Sequence, residues 1–161
     1  MKKTLVIYFS LSGTTKAAAE SIQENTNADI VRIEPVEPYP EGYSNYSKVG
    51  MQQMEAHADV PMKTKIPDLN QYDLIFIGYP TWGGQVPRIF NSLFAENDFS
   101  GKRVLPFSTS VSTPFEDTLP SFKEAAGGGV KIVGGFRYRD EAQVQRLLKD
   151  NKSSSSFLGL E

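Results

Sequence analysis

Hydroxyl side chains are concentrated around one glycine near the start of the chain. The stretch is YFSLSGTTKAAAE, residues 8–20, and its candidate residues are Ser10, Ser12, Gly13, Thr14 and Thr15. The apolar residues before it are typical of a strand, whereas Ala18 and Ile22 after it have helical spacing. The unpaired amides and the dipole of a helix N-terminus attract phosphate. The stretch therefore predicts a phosphate-binding loop, and the plainer alternative is that its hydroxyls only cap the helix.

A second unusual segment, YPTWGGQVPRIF, occupies residues 79–90. It contains Trp82, the only tryptophan of the chain. The two glycines that follow, Gly83 and Gly84, let the backbone approach a ligand or adopt unusual dihedral angles. Pro87 suits the first turn of a helix. The segment indicates a loop against a ligand, and the alternative is an aromatic lid over the core with a glycine turn behind it.

A third segment, STSVSTPFED, occupies residues 108–117. Thr113, Pro114 and Glu116 fit a capping box with proline at the first helical position. Three residues before the box have no such structural explanation: Ser108, Thr109 and Ser110. Their amides and hydroxyls could contact the polar edge of a ligand.

Apolar strand candidates alternate with helical segments, which is typical of a parallel α/β sheet. The predicted strands cover residues 3–9, 29–33, 73–79, 102–108 and 130–136. The predicted helices cover residues 14–25, 87–95, 115–125 and 140–149, the last with Ala142, Leu147 and Leu148 on its apolar face. The first and third strands lack polar alternation, so both should be covered on two faces and lie side by side at the centre. Ligands of such sheets bind beyond the carboxyl ends of the strands, where the three segments should meet.

Residues 35–66 interrupt this alternation with a stretch rich in proline and tyrosine. The interval is too long for an unstructured connection, so residues 45–57 are predicted to be helical, with Met51 and Met54 on the buried side. We therefore predict one domain over residues 1–150 that contains this insert, followed by a serine-rich tail at residues 151–161.

Composition excludes several classes of protein. The 17 lysines and arginines nearly balance 19 acidic residues, so no strong field favours nucleic acid or a membrane surface. The absence of cysteine excludes thiolate catalysis and a cysteine-dependent phosphatase, and the single histidine cannot build a metal cluster. No GxxxxGK[ST] or GxSxG motif occurs, and the first strand lacks the acidic pair of a receiver domain. Without a run of about 20 apolar residues, the chain is predicted to be soluble and cytoplasmic.

Taken together, the three segments make the chain similar to the flavodoxin family, in particular to a branch with an insert between the second and third strands. The resemblance implies a three-layer α-β-α sandwich, a five-stranded parallel sheet of order 2-1-3-4-5, and FMN as the cofactor. It implies FMN contacts from Ser10, Ser12, Gly13, Thr14, Thr15, Pro80, Thr81, Trp82, Gly83, Gly84, Ser108, Thr109 and Ser110. It implies neither a metal nor a catalytic acid or base, because the flavin carries the chemistry.

By this resemblance the protein transfers electrons or hydride through the flavin, between a redox donor and a redox acceptor. Two alternatives remain open at this point. One is an NAD(P)H-dependent reductase of quinones or other small acceptors, with its pocket shaped by the insert. The other is a flavodoxin-like binding module without FMN. The hydroxyl loop and Trp82 argue against the module, whereas the third segment, which lacks the family's frequent glycines and tyrosine, argues for it.

Overall fold

The computed structural model describes residues 3–150, and a parallel sheet forms its centre. Within that range the strands are Lys3–Tyr8 (β1), Asp29–Arg32 (β2), Tyr72–Pro80 (β3), Arg103–Thr109 (β4), Lys131–Ile132 (β5) and Phe136–Arg137 (β6). The α-helices are Thr14–Thr26 (α1), Tyr43–Glu55 (α2), Ile89–Glu96 (α3), Phe115–Ala126 (α4) and Glu141–Asp150 (α5), and a 3₁₀ helix covers Leu69–Gln71. The serine-rich tail predicted at residues 151–161 lies outside the described residues.

The strands are arranged in the order β2-β1-β3-β4-β5, with β6 also paired to β4. All of these pairings are parallel. The predicted α/β class and the predicted order 2-1-3-4-5 are therefore confirmed. The loops after β1, β3 and β4 consequently begin at one edge of the sheet, because parallel strands share the direction of their carboxyl ends.

Two cores cover the two faces of the sheet. Leu5 and Ile7 belong to one core and Val6 and Tyr8 to the other, because successive side chains of a strand point to opposite faces. Helices α3 and α4 supply the first core, and α1 and α5 supply the second. This burial on both faces confirms the prediction from the unbroken apolar runs of β1 and β3.

The fifth strand differs from the prediction, since β5 and β6 replace one strand over residues 130–136. Val104 and Ser108 of β4 accept hydrogen bonds from the fifth-strand side, at 2.9 and 2.8 Å. Pro106 lies midway between them and so faces the same side, but it has no N–H to donate. Residues 105 and 106 of β4 lie opposite residues 133–135. The register of β6 against β4 is therefore shifted by one residue relative to that of β5. The proline therefore accounts for the interruption.

The buried faces of two helices also differ from the prediction. In α2 the buried residue is Gly50, whereas Met51 is 42% exposed and Met54 only half-buried. In α5 Ala142 is exposed, while Val144 is buried beside the partly buried Leu147 and Leu148. No helix within residues 3–150 combines the length and the apolar character needed to cross a bilayer.

Candidate functional site

The loop after β1 is shaped by its own hydroxyls. The Ser10 hydroxyl accepts a hydrogen bond from the Gly13 N–H at 3.1 Å. Ser12 and Thr14 are exposed, with their hydroxyl oxygens 3.3 Å apart. Helix α1 begins at Thr14 after Gly13 as N-cap residue, which has no side chain to cap it, and the Ser12 hydroxyl accepts from the Thr14 N–H at 3.5 Å. The capping interpretation therefore accounts for one long hydrogen bond of Ser12, and the helix N-terminus faces outward with two exposed hydroxyls beside it.

Two cations lie near this loop. The Arg32 guanidinium donates a hydrogen bond to the Ser10 carbonyl at 2.5 Å. Lys16 forms an ion pair with Glu20 at 2.8 Å, and the hydrogen bond and charge of Glu20 raise the pKa of Lys16. The loop therefore combines neutral donors with a positive charge anchored to its backbone. Sequence reasoning missed Arg32, because its position at the end of a short strand gave no local signal.

The loop after β3 forms a two-residue turn. Trp82 and Gln85 exchange backbone hydrogen bonds of 2.9 and 3.0 Å. Between them, Gly83 and Gly84 have φ of 58° and 77°. Positive φ at both central residues is the pattern of a type I′ turn, which glycine adopts without a Cβ clash. The two glycines therefore close a tight hairpin at the edge of the sheet.

Trp82 packs against the insert and the end of β1. Its ring centroid lies 5.6 Å from that of Tyr39 and 5.7 Å from that of Phe9, both edge-on, and Tyr46 of α2 stacks on it at 6.4 Å. A Cβ added to Gly50 would lie 2.7 Å from Trp82 Cζ3, so only glycine lets α2 approach the indole this closely. Burial raises the pKa of Tyr39 to about 12, and its hydroxyl donates to Gln53 at 2.6 Å. The lid-like alternative for Trp82 therefore has direct support.

The loop after β4 is tied to the first loop. The hydroxyls of Thr15 and Thr109 lie 2.7 Å apart in a buried hydrogen bond, and the Thr109 carbonyl accepts from the Thr81 N–H at 3.0 Å. Ser110 donates its hydroxyl to the Thr113 carbonyl at 2.7 Å. These bonds bring all three predicted segments together at one edge.

The capping box predicted at Thr113 is wrong. Pro114 is the N-cap residue of α4, without a side-chain capping bond, and Phe115 is the first helical residue. The capping box requires Thr113 as the N-cap residue and Pro114 as the first helical residue. The helix instead begins one residue later, with Pro114 as the N-cap residue. Pro87 likewise precedes α3, which begins at Ile89.

Two buried hydroxyls in these loops have no hydrogen-bond partner. They belong to Thr81 and Ser108, and within residues 3–150 only Ser21 of α1 shares this condition. Buried polar atoms are nearly always paired, because an unpaired one costs about 1–3 kcal/mol. Two of the three atoms lie at the carboxyl ends of neighbouring strands, with Thr81 directly after β3 and Ser108 within β4.

Of the predicted residues, six use their hydroxyls in hydrogen bonds within the protein: Ser10, Ser12, Thr14, Thr15, Thr109 and Ser110. Ser12 and Thr14 are exposed and bond to each other, whereas the hydroxyls of Thr81 and Ser108 are unpaired. Sequence reasoning missed Gly50 of the insert and predicted Met51 on the buried side of its helix, whereas the Met51 Cε lies 3.3 Å from a Cβ added to Gly83. Only the tyrosine-rich composition of the insert hinted at contacts of this kind.

Comparison with known proteins agrees with this geometry. The family model for flavodoxin matches residues 3–145. A flavodoxin of Nostoc sp. (strain PCC 7120) is 26% identical over 176 residues, covering 99% of this chain and 82% of its own length.

Two solved structures are similar along nearly their whole length. A candidate flavoprotein of Bacteroides eggerthii has a TM-score of 0.79 at 29% identity, covering 93% of this chain and 98% of that one. A flavoprotein of Lactobacillus acidophilus in complex with FMN has a TM-score of 0.77 at 28% identity, with 91% and 98% covered. By the extent of the family match and the strand order, this chain belongs to the flavodoxin family.

Proposed function

We propose that this protein holds FMN across the three loops and transfers electrons or hydride through it. The observation that carries the proposal is the pair of unpaired buried hydroxyls of Thr81 and Ser108, at the strand ends that hydrogen bonds of Thr109 connect to the first turn of α1. Membership of the flavodoxin family supports it, as does the FMN complex of the Lactobacillus relative. The unpaired hydroxyls also argue against the alternative of a module without FMN.

The first loop would bind the phosphate. Ser12 and Thr14 offer exposed hydroxyls, and the first turn of α1 offers amides and the positive end of its dipole. Arg32 adds positive charge from behind, through its bond to the Ser10 carbonyl. Ser10 and Thr15 act as positioning residues, because their hydroxyls are already used inside the protein.

The second and third loops would hold the ring. Pro80, Thr81 and the 82–85 turn form one wall, and residues 108–110 form the other. The hydroxyls of Thr81 and Ser108 would each gain a partner from the polar part of the flavin. Trp82 fixes the turn through its contacts with the insert.

FMN supplies the redox chemistry when bound, and the chain supplies position and electrostatics. We infer a carrier that exchanges electrons with a redox donor and an acceptor, because the relatives matched along their length are flavodoxins. This inference favours the carrier over the NAD(P)H-dependent reductase.

The experiment compares FMN with riboflavin, which lacks the phosphate. Replacing Ser12 and Thr14 together by alanine removes two hydrogen bonds to a charged group, each worth about 1.5–3 kcal/mol. FMN affinity should fall at least about tenfold, since about 1.4 kcal/mol is a factor of ten. Riboflavin affinity should stay within about twofold. Fluorescence titration of the purified protein measures both.

Ser100→Ala is the matched control, because this exposed serine precedes β4 at the opposite end of the sheet. It should leave both affinities unchanged. Equal losses for FMN and riboflavin in the double variant would contradict the phosphate assignment. Failure of the unaltered protein to bind either flavin would contradict the proposed function itself.

A further inference from the structure

A groove of about 150 Å³ lies on the β2 side of the first loop. Its walls include Phe9 and Tyr39 on one side and Arg32, Pro38 and Lys63 around them. The loops proposed for FMN follow β1, β3 and β4, whereas this groove lies above the ends of β1 and β2. The two sites share the Ser10 and Leu11 wall and the Arg32 guanidinium, which donates to the Ser10 carbonyl. The other residues of the groove are separate from the cofactor loops, so inference from it does not depend on FMN.

The charge of the groove favours an anion. Arg32 and Lys63 bring two positive charges against one carboxylate, Glu34. Arg32 is held by its bond to the Ser10 carbonyl, and the Lys63 backbone N–H donates to the Glu34 carbonyl at 2.9 Å. The local balance is positive, although the whole chain carries a net charge of -2.

The remaining walls of the groove are apolar and aromatic. The rings of Phe9 and Tyr39 are tilted at 54° with centroids 5.8 Å apart. Ile33, Pro35 and Pro38 complete this side. A cavity of about 150 Å³ is large enough for a single benzene ring. The size and lining therefore suit one aromatic ring with one anionic substituent.

We propose that this groove binds a single-ring aromatic carboxylate. The planar guanidinium of Arg32 matches a carboxylate through two parallel hydrogen bonds, and Lys63 adds a second charge. The ring of the ligand packs against Leu11, Tyr39 and Pro38, and the buried Phe9 supports Tyr39 from beneath. Because Phe9 and Tyr39 both contact Trp82, a ligand here reaches the second loop through those two ring contacts.

The test uses benzoate as probe and follows the indole N–H signal of the single tryptophan by ¹H–¹⁵N NMR, with and without bound FMN. Benzoate should shift this signal saturably in both forms. Benzamide, which is uncharged, and acetate, which has no ring, should each bind at least about fivefold more weakly. Arg32→Gln should weaken benzoate binding by about fivefold or more, and Lys63→Gln by about twofold.

Lys65→Gln is the matched control, because it removes an equal charge from the same segment at an exposed position outside the groove. It should leave benzoate binding unchanged. Lys63→Gln keeps the test valid if Arg32→Gln disturbs the first loop, and FMN affinity of each variant reports such disturbance. Absence of benzoate binding, equal binding of benzamide, an equal effect of Lys65→Gln, or competition between benzoate and FMN would each overturn the proposal.

Discussion

The first and second loops of the candidate site are held in different ways. Residues 10–15 are fixed by bonds within the loop and to its neighbours, including the 3.1 Å bond between Ser10 and Gly13. The turn at residues 82–85 is closed by its own backbone bonds, but its tryptophan packs against Tyr39, Tyr46 and Gly50 of the insert. The proposed phosphate half of the site is therefore held by hydrogen bonds, two of them to Arg32 and Thr109 elsewhere in the chain, whereas the proposed ring half depends on packing against an insert more than 25 residues away in sequence.

The largest effect is expected from Gly50→Leu, which tests the dependence on the insert. Its Cβ alone would lie 2.7 Å from Trp82 Cζ3, so the indole or α2 must move. Overpacking of this kind costs up to about 3 kcal/mol of unfolding free energy. Because the ring portion is common to both flavins, affinities for FMN and riboflavin should fall together, in contrast to the Ser12 and Thr14 variant. Urea unfolding and flavin titration measure the two quantities.

Gly128→Leu is the control for Gly50→Leu, since a Cβ at Gly128 has no heavy atom within 4 Å. It should change neither stability nor flavin affinity appreciably. In a double-mutant cycle, Trp82→Leu should relieve part of the cost of Gly50→Leu, because it removes the atoms that clash. Additive costs would show that Gly50 does not act through the indole.

A smaller effect is expected from Thr15→Val, which tests the connection between the first and third loops. The substitution leaves the buried Thr109 hydroxyl without its partner at 2.7 Å. An unpaired buried hydroxyl should lower the unfolding free energy by about 1–2 kcal/mol, measured in urea. Thr15→Val combined with Thr109→Val should cost less than the sum of the two single variants. If the losses of unfolding free energy in the two single variants simply add in the double variant, the two hydroxyls do not stabilise the protein as a pair.

The smallest effect is expected from Tyr39→Phe, which tests whether the ionisation of this insert residue affects Trp82. Burial raises the pKa of Tyr39 from 10.0 to about 12 in the folded protein. The unfolded chain therefore loses this proton at lower pH than the folded protein does. The contribution of the neutral phenol to the unfolding free energy is fully present below pH 10 and is lost as pH rises towards 12. Trp82 emission should change over that window in the unaltered protein, and less in Tyr39→Phe.

Tyr72→Phe is the matched control for this pH effect. Burial, with a further contribution from Asp29, also raises the pKa of Tyr72 to about 12, but Tyr72 begins β3 at the opposite end of the sheet from Trp82. Its removal should reduce the alkaline loss of stability and leave the change in Trp82 emission intact. If the change in Trp82 emission with pH is the same in Tyr39→Phe as in the unaltered protein, the indole does not respond to the ionisation of Tyr39.

The fold class, the central position of β1 and β3 and the first loop could be predicted because their signals are local, whereas the full strand order followed only from the resemblance to the flavodoxin family. Unbroken apolar runs identify β1 and β3, and the hydroxyls around Gly13 follow one of those runs directly. The break between β5 and β6 was missed, because it depends on which side of β4 the backbone of Pro106 faces. That side follows from strand pairing, which composition alone does not reveal.

The buried face of α2 could not be predicted for a related reason. Hydrophobicity favoured Met51 and Met54, but the helix packs through Gly50 because the indole of Trp82 needs the space. The capping box at Thr113 failed because proline became the N-cap residue itself. In α2 a contact with a distant residue decides which face is buried, and in α4 a shift of one residue decides which residue is the N-cap. Neither can be found from the local sequence pattern.

The interrupted fifth strand also bears on self-association. It forms the last position of the sheet beside β4, where a continuous strand would expose a row of free backbone groups to another chain. Here two segments of two residues are separated by Val133, Gly134 and Gly135, and each segment carries one basic side chain. A neighbouring chain would find neither a continuous ladder nor an uncharged edge. Pro106, one position within β4, thereby makes this margin of the sheet a poor template for intermolecular strand pairing.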